Sequence, residues 1–222
     1  MRCLKAKEAT VLIEHQGRRP RVDPSAYLAP TAILSGDVTI GPESRVLHGA
    51  VITAEGAPVT IGSHCVVMEY AVVRGAGGRA RSFPTTIGDY TLVGPHAYVV
   101  GATVEGRCFL ATGSCVFNAA HLKQGCAVTI QAIVHVGTTL EEGTSVPLQH
   151  VAIGTPATIF APSETEAMMA ALAKQEFSKL VFGLDAADFA TSAELREAQL
   201  TRYTRGLTAH LSDVALESTD LA

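Results

Sequence analysis

An aliphatic residue recurs at every sixth position through most of this 222-residue chain, and that period decides what the chain can fold into. The first run is Leu28, Leu34, Ile40, Val46 and Ile52; the second is Ile61, Val67 and Val73; the third is Ile87, Val93 and Val99. After one five-residue step come Val104, Leu110, Val116, Leu122, Val128, Val134, Leu140 and Val146. A small residue stands four places after nearly every one, as at Ala32, Ser44, Ala50, Cys65, Ala71 and Ala97. Neither the 3.6-residue period of a helix nor the 2-residue period of a simple strand produces this pattern. Stacked supersecondary repeats do. Each hexad reads as a short strand plus a corner, and three hexads close one triangular coil. The aliphatic side chain points inward and the small one fills the space beside the corner. Coils then stack in parallel at about 4.8 Å, and each buries its core against its neighbours. The expected fold is an all-β solenoid, a parallel β-helix of hexapeptide repeats, over residues 10–160, with repeats from about 28 to 151.

Breaks in the register locate the loops. Three extra residues fall within AEGAPVT before Ile61, and eight within RGAGGRARSFPTT before Ile87. The second excursion, residues 74–86, is the better candidate for function, because loops on a rigid scaffold often carry it. After Pro162 the pattern turns helical. Ser163 with Glu166, and Thr191 with Glu194, have capping-box spacing. Helices are therefore predicted over 163–182, along the solenoid wall, and over 191–213, against the first helix or a neighbouring subunit.

The chain is 47% hydrophobic and 17% charged with a net charge of −4. That is the composition of a packed protein, and the lack of a basic block argues against a nucleic-acid partner. No uncharged apolar window reaches the ~18 residues of a membrane span, and the first twenty residues lack a secretory signal pattern. Five cysteines without metal-type spacing fit free thiols in a reducing compartment. A cytoplasmic location is expected, with Cys65, Cys108 and Cys126 as inward-facing core thiols.

The stretches PSAYLAPTAILSGDVTIGPESRVLHGAV, TTIGDYTLVGPHAYVVGATV and VAIGTPATI resemble the γ-class carbonic anhydrases over roughly residues 22–182. The resemblance implies a left-handed parallel β-helix with C-terminal α-helices, assembled as a homotrimer. In that family three histidines from two subunits hold a zinc or iron ion that activates water. Here the three ligand positions correspond to Arg74, Pro95 and Val100, none of which can ligate zinc. The acidic member of the family's Arg-Gly-Asp subunit contact corresponds to Glu55, and its arginine to Thr53. No metal, cofactor or catalytic residue is therefore expected from the family pattern.

Counting hexads in threes places Thr53, Arg74, Val100, Phe117 and His135 in one column. His48, Glu69, Pro95, Thr112 and Ile130 form a second column at an adjacent corner. The candidate intersubunit cleft comprises Arg74, Pro95, His96, Val100 and Glu69. There the Arg74 guanidinium suits a small anionic ligand, or else pairs with Glu69 or a neighbour's carboxylate. Three readings follow. The first is a binding or scaffold trimer without zinc-dependent CO2 hydration. The second is a hexapeptide-repeat acyltransferase with an intersubunit histidine, His96 or His135, as general base. The third is a carbonic anhydrase with another ligand set drawn from His48, His96 and His135.

Overall fold

The computed structural model describes residues 10–77 and 81–216. It is the expected left-handed parallel β-helix of hexapeptide repeats, about eight coils tall, with C-terminal helices. Three walls of short strands surround one core. Along the first wall Ile33, Val51, Val72, Tyr98, Cys115, Ile133 and Val151 stand in register. Along the second stand Thr39, Thr60, Thr86, Thr103, His121 and Thr139. Along the third stand Tyr27, Arg45, Val66, Leu92, Phe109, Ala127 and Ser145.

The aliphatic positions of the hexads are buried from Leu34 to Val146, and only Leu28, in the first coil, is half-exposed. Ala32, Ala50, Cys65, Ala71 and Ala132 are fully buried beside them. This is the pattern of a solenoid in which every coil shields the next. Cys65, Cys108 and Cys126 are free, buried thiols, so the core reading of these residues matches the structure. Burial pushes the Cys65 and Cys126 thiols up and takes Cys108 to about 11.

The described parts of both insertions extend the walls. The AEGAPVT insertion lies within one long strand, Val51–Ile61. Of the 74–86 excursion, residues 78–80 lie outside the described residues; on either side of them Val72–Gly77 and Ser82–Phe83 pair antiparallel as a small hairpin. It leaves the first wall directly after Arg74. The buried Thr85 stitches the resulting gap: its hydroxyl donates to the Arg74 carbonyl at 2.6 Å and accepts from Gly101 N–H at 2.8 Å.

The helical region differs from the sequence reading at its first element. Helix α1 spans Thr165–Ala173, shorter than the 163–182 span. Ser163 does not cap it; instead Glu164 reaches back to accept the Ala161 N–H at 2.7 Å. A π-helical turn, Ser178–Phe182, follows as a separate piece and ends at Gly183. Helix α2, Ser192–Leu207, begins at the capping residues read from sequence: Thr191 Oγ1 accepts the Glu194 N–H at 3.2 Å, and the Glu194 carboxylate accepts from Ala190 N–H. A 3₁₀ turn, Thr208–Ser212, continues beyond α2, so the regular helix stops short of residue 213. The chain then returns to its start. Val214–Leu216 pairs antiparallel with the first strand, Val11–Glu14, covering the edge that strand would otherwise expose. Among the described residues, no helix is long and apolar enough to cross a membrane.

Candidate functional site

The hairpin, the π-helical turn and α2 enclose a cleft of about 800 Å³ against one corner of the first wall. Its size lies within the ordinary range for small-molecule sites. The wall side takes Arg74, Val100 and Phe117 from the column read from sequence, in which Thr53 is in register with Arg74 but does not line the cleft. The opposite side comes from Phe177, Val181 and Phe182 of the π-helical region and Arg202, Tyr203 and His210 from α2 and its continuation.

Arg74 is the link between wall and helix. It pairs with Glu55 rather than with Glu69, and its second contact is the Tyr203 hydroxyl, which accepts from the same Nη2. The guanidinium carbon also stands 5.6 Å from the Tyr203 ring centroid. Burial works against the Arg74 charge, but the Tyr203 hydrogen bond and the Glu55 charge outweigh it and raise its pKa. Its Nε is buried without a hydrogen-bond partner among the described residues.

At the base of the cleft lies a second polar group. His210 lines the cleft, and its Nδ1 is 2.8 Å from Asp213 Oδ2. The other oxygen of Asp213 lies 2.5 Å from Nδ1 of His15, which is only 3% exposed. The two rings stack at 4.4 Å. His15 Nε2 in turn faces the Gln16 amide at 2.9 Å and the Glu55 carbonyl at 3.2 Å. Burial tends to raise the Asp213 pKa, while the His210 and His15 contacts lower it more, so the carboxyl is held below its usual range. Donors from His15, His210 and Asp213 lie within 4.8 Å of one another, the spacing of a metal cluster. Here, however, each imidazole is matched to its own carboxylate oxygen. The arrangement is that of a hydrogen-bonded carboxylate clamped by two rings, in which Asp213 engages Nδ1 of His210 rather than Nε2.

The floor is closed by Gly101 and Asn118. A side chain at Gly101 (φ +58°) would meet Phe83 Cβ at 2.6 Å and Asn118 Nδ2 at 2.7 Å. Asn118 is 7% exposed and lines the cleft.

Of the residues singled out from sequence, Arg74 and Val100 line this cleft. Glu69, Pro95 and His96 stand at the other end of the first wall, in the second column. There Tyr70 N–H donates to the His48 carbonyl, His96 N–H to Glu69 and Gly113 N–H to Pro95. The His96 ring stacks on Tyr70 at 5.3 Å. His135 packs beside Phe117; burial lowers its pKa, and its Nδ1 has no partner. The zinc implied by the carbonic anhydrase resemblance does not fit: Arg74 is engaged with Glu55 and Tyr203, Val100 is apolar and Pro95 offers no donor. Sequence reasoning missed His15, Asn118, Arg202, Tyr203, His210 and Asp213, whereas Arg81 lies in the 74–86 excursion that it singled out. The only local signal among them was the three-residue spacing of His210 and Asp213.

No protein-family model matches the chain. No curated protein matches it. Among solved structures it is similar to a Bacillus cereus protein described as a "putative acetyltransferase", at 16% identity over 92% of this chain and 96% of that one, with a TM-score of 0.49. It is also similar to a hexapeptide transferase family protein from Anaplasma phagocytophilum, at 19% identity over 91% and 98% of the two chains, TM-score 0.39. A third is LpxA from Acinetobacter baumannii, at 17% identity over 88% and 91%, TM-score 0.35. Likeness this distant carries no functional argument, which rests on the cleft itself.

Proposed function

We propose that the chain is a hexapeptide-repeat acyltransferase whose reaction takes place in the cleft beneath α2. The observation that carries this reading is His210 on the cleft surface with its Nδ1 held by Asp213. A general base needs one ring nitrogen free toward the substrate and the other fixed by an orienting group. His210 Nε2 takes the proton of an acceptor hydroxyl or amine as that atom attacks the carbonyl of an acyl thioester. The carbon–sulfur bond then breaks, and the leaving thiolate takes the proton from the imidazolium. His15 acts as a positioning residue, because it fixes the second oxygen of Asp213 from the buried side.

This reading replaces the zinc-free binding or scaffold protein as the leading function, and moves the base from His96 or His135 to His210. The homotrimer implied by the family resemblance remains part of the proposal. Phe109, Ile130 and Leu148 on the solenoid, and Leu200 and Leu211 beyond the cleft, expose apolar surface that a second copy would cover. The test is thiol release from a panel of acyl thioesters with alcohol and amine acceptors. Activity that falls at least about a hundredfold in His210→Asn supports the base role. Absence of transfer with every pair, or full activity in that variant, overturns it.

A further inference from the structure

Three arginines reach the cleft, and their charges are not equivalent. Arg74 is answered by Glu55. Arg81, from the hairpin, donates to the Leu180 carbonyl at 2.6 Å, and Arg202, from α2, donates to the Phe182 carbonyl. Both therefore grip the same π-helical turn, and both converge on Gly183. A Cβ placed there would stand 3.3 Å from Arg81 Nε and 3.3 Å from Arg202 Nη1. Among the described residues neither guanidinium has a carboxylate within ion-pair distance. Capping of carbonyls explains one donor on each, not two uncompensated like charges held this close. The remaining donors suit an oxyanion, for which the guanidinium fork is the best-matched side chain.

A second observation points to a ligand independently. Asn118 lines the cleft and presents its side-chain amide there, a donor and acceptor pair that a polar ligand group can meet. Between the arginines and Asn118 the lining is aromatic, from Phe83, Tyr98, Phe117 and Phe182.

We infer that the cleft binds a small organic oxyanion with a planar apolar body. The anionic group sits at Arg81 and Arg202, the ring lies among the phenyl side chains, and a polar substituent meets Asn118. The inference deepens the acyltransferase reading by naming the chemistry of its substrate, and it rests on that reading only for the word substrate.

The test is direct binding by calorimetry, with benzoate, 4-hydroxybenzoate, phenyl phosphate, inorganic phosphate and benzyl alcohol as probes. The expected result is binding of the aromatic anions and none of benzyl alcohol. Arg81→Met and Arg202→Met should each weaken it by about tenfold or more, as for loss of a charge-assisted hydrogen bond. Both side chains are exposed, so folding of these variants is expected to persist. Asn118→Leu should remove the preference for 4-hydroxybenzoate over benzoate. Benzyl alcohol binding as well as benzoate, or affinity unchanged in both arginine variants, overturns the inference. Inorganic phosphate binding as tightly as phenyl phosphate overturns the aromatic part. Benzoate binding without any acyl transfer would leave this site standing and remove the acyltransferase reading. Transfer that benzoate and phenyl phosphate fail to inhibit would do the reverse.

Discussion

Replacing Arg74 with methionine tests what one side chain contributes to holding the cleft shut. The Arg74 and Glu55 side chains are 18% and 21% exposed, so the pair is neither a solvated surface bridge nor a dry one. Exposed pairs contribute about 0–1 kcal/mol, and stripping one partner from a buried pair costs about 3–5 kcal/mol. An intermediate cost of about 2 kcal/mol follows for Arg74→Met, because Glu55 is left without its partner and the Tyr203 hydroxyl loses its donor. Within α2 only Tyr203 touches Arg74; Arg202 and Gln199 hold the helix elsewhere, at the Phe182 carbonyl and the Ser178 hydroxyl. The part carried by the Tyr203 contact, about 1 kcal/mol, should appear as easier undocking of α2, because the Glu55 pair lies wholly on the solenoid. Amide exchange in Ser192–Leu207 should rise by about 5-fold, which is 1 kcal/mol expressed as an opening equilibrium. Strands such as Tyr98–Val100 should keep their protection. Tyr203→Phe alone should cost about 1 kcal/mol, the net contribution of one hydrogen bond. Adding Glu55→Gln to Arg74→Met should recover about 1 kcal/mol, since the stranded charge disappears. Unchanged exchange in Arg74→Met would refute the reasoning, and so would strictly additive effects of Arg74→Met and Glu55→Gln.

Gly101→Ala should destabilise the protein by about 1–3 kcal/mol, read as a lower Tm, because the new Cβ meets both Phe83 and Asn118 at a positive φ. The Asp213 carboxyl is depressed in the folded state, so its contribution to stability is complete above the ordinary carboxylate pKa of about 4. That contribution should fade only as pH falls through the lowered folded value, seen as loss of exchange protection in Val214–Leu216. Cys108 is buried with its thiol pushed to about 11, so alkylation at about pH 8 should spare it in the native protein and label it in urea. Labelling at equal rates in both conditions would contradict its place in the core.

The solenoid was legible because its information is local and repeated. Every coil demands an inward aliphatic side chain at the same phase, so Leu110 and Val128 report on the fold independently of each other. The register breaks were legible for the same reason: the insertion before Ile87 could be counted, and it emerges as the hairpin that forms one side of the cleft. The column containing Arg74 and Val100 followed from the same count. What the count could not supply was the roof. Helix α1 buries no residue fully, and the helix expected over 163–182 breaks after Ala173 before the π-helical turn, Ser178–Phe182. A hydrophobic stripe defines a face but not where the chain breaks, and the break is what lets Phe182 and Gly183 reach Arg81 and Arg202.

The base of the cleft was less legible still, because it is assembled from opposite ends of the chain. His15 and Asp213 are 198 positions apart, and neither stands in a pattern that marks it. They meet because the first strand, Val11–Glu14, offers an open edge that Val214–Leu216 fills, and the backbone pairing fixes the register. With that register set, Glu14 lies opposite Val214, and the residues just outside the pairing, His15 and Asp213, come into contact as a geometric consequence. His210 is then carried onto the carboxylate by the 3₁₀ turn before it, and Tyr203 onto Arg74 by α2. Edge protection and orientation of the proposed base are thus one structural event. A substitution that loosens the terminal strand should weaken acyl transfer without touching any residue that faces the substrate. Val214→Pro, which removes a main-chain donor from that pairing, should lower transfer and leave benzoate affinity at Arg81 and Arg202 intact. A parallel loss of both would place the arginine site under the control of the tail as well.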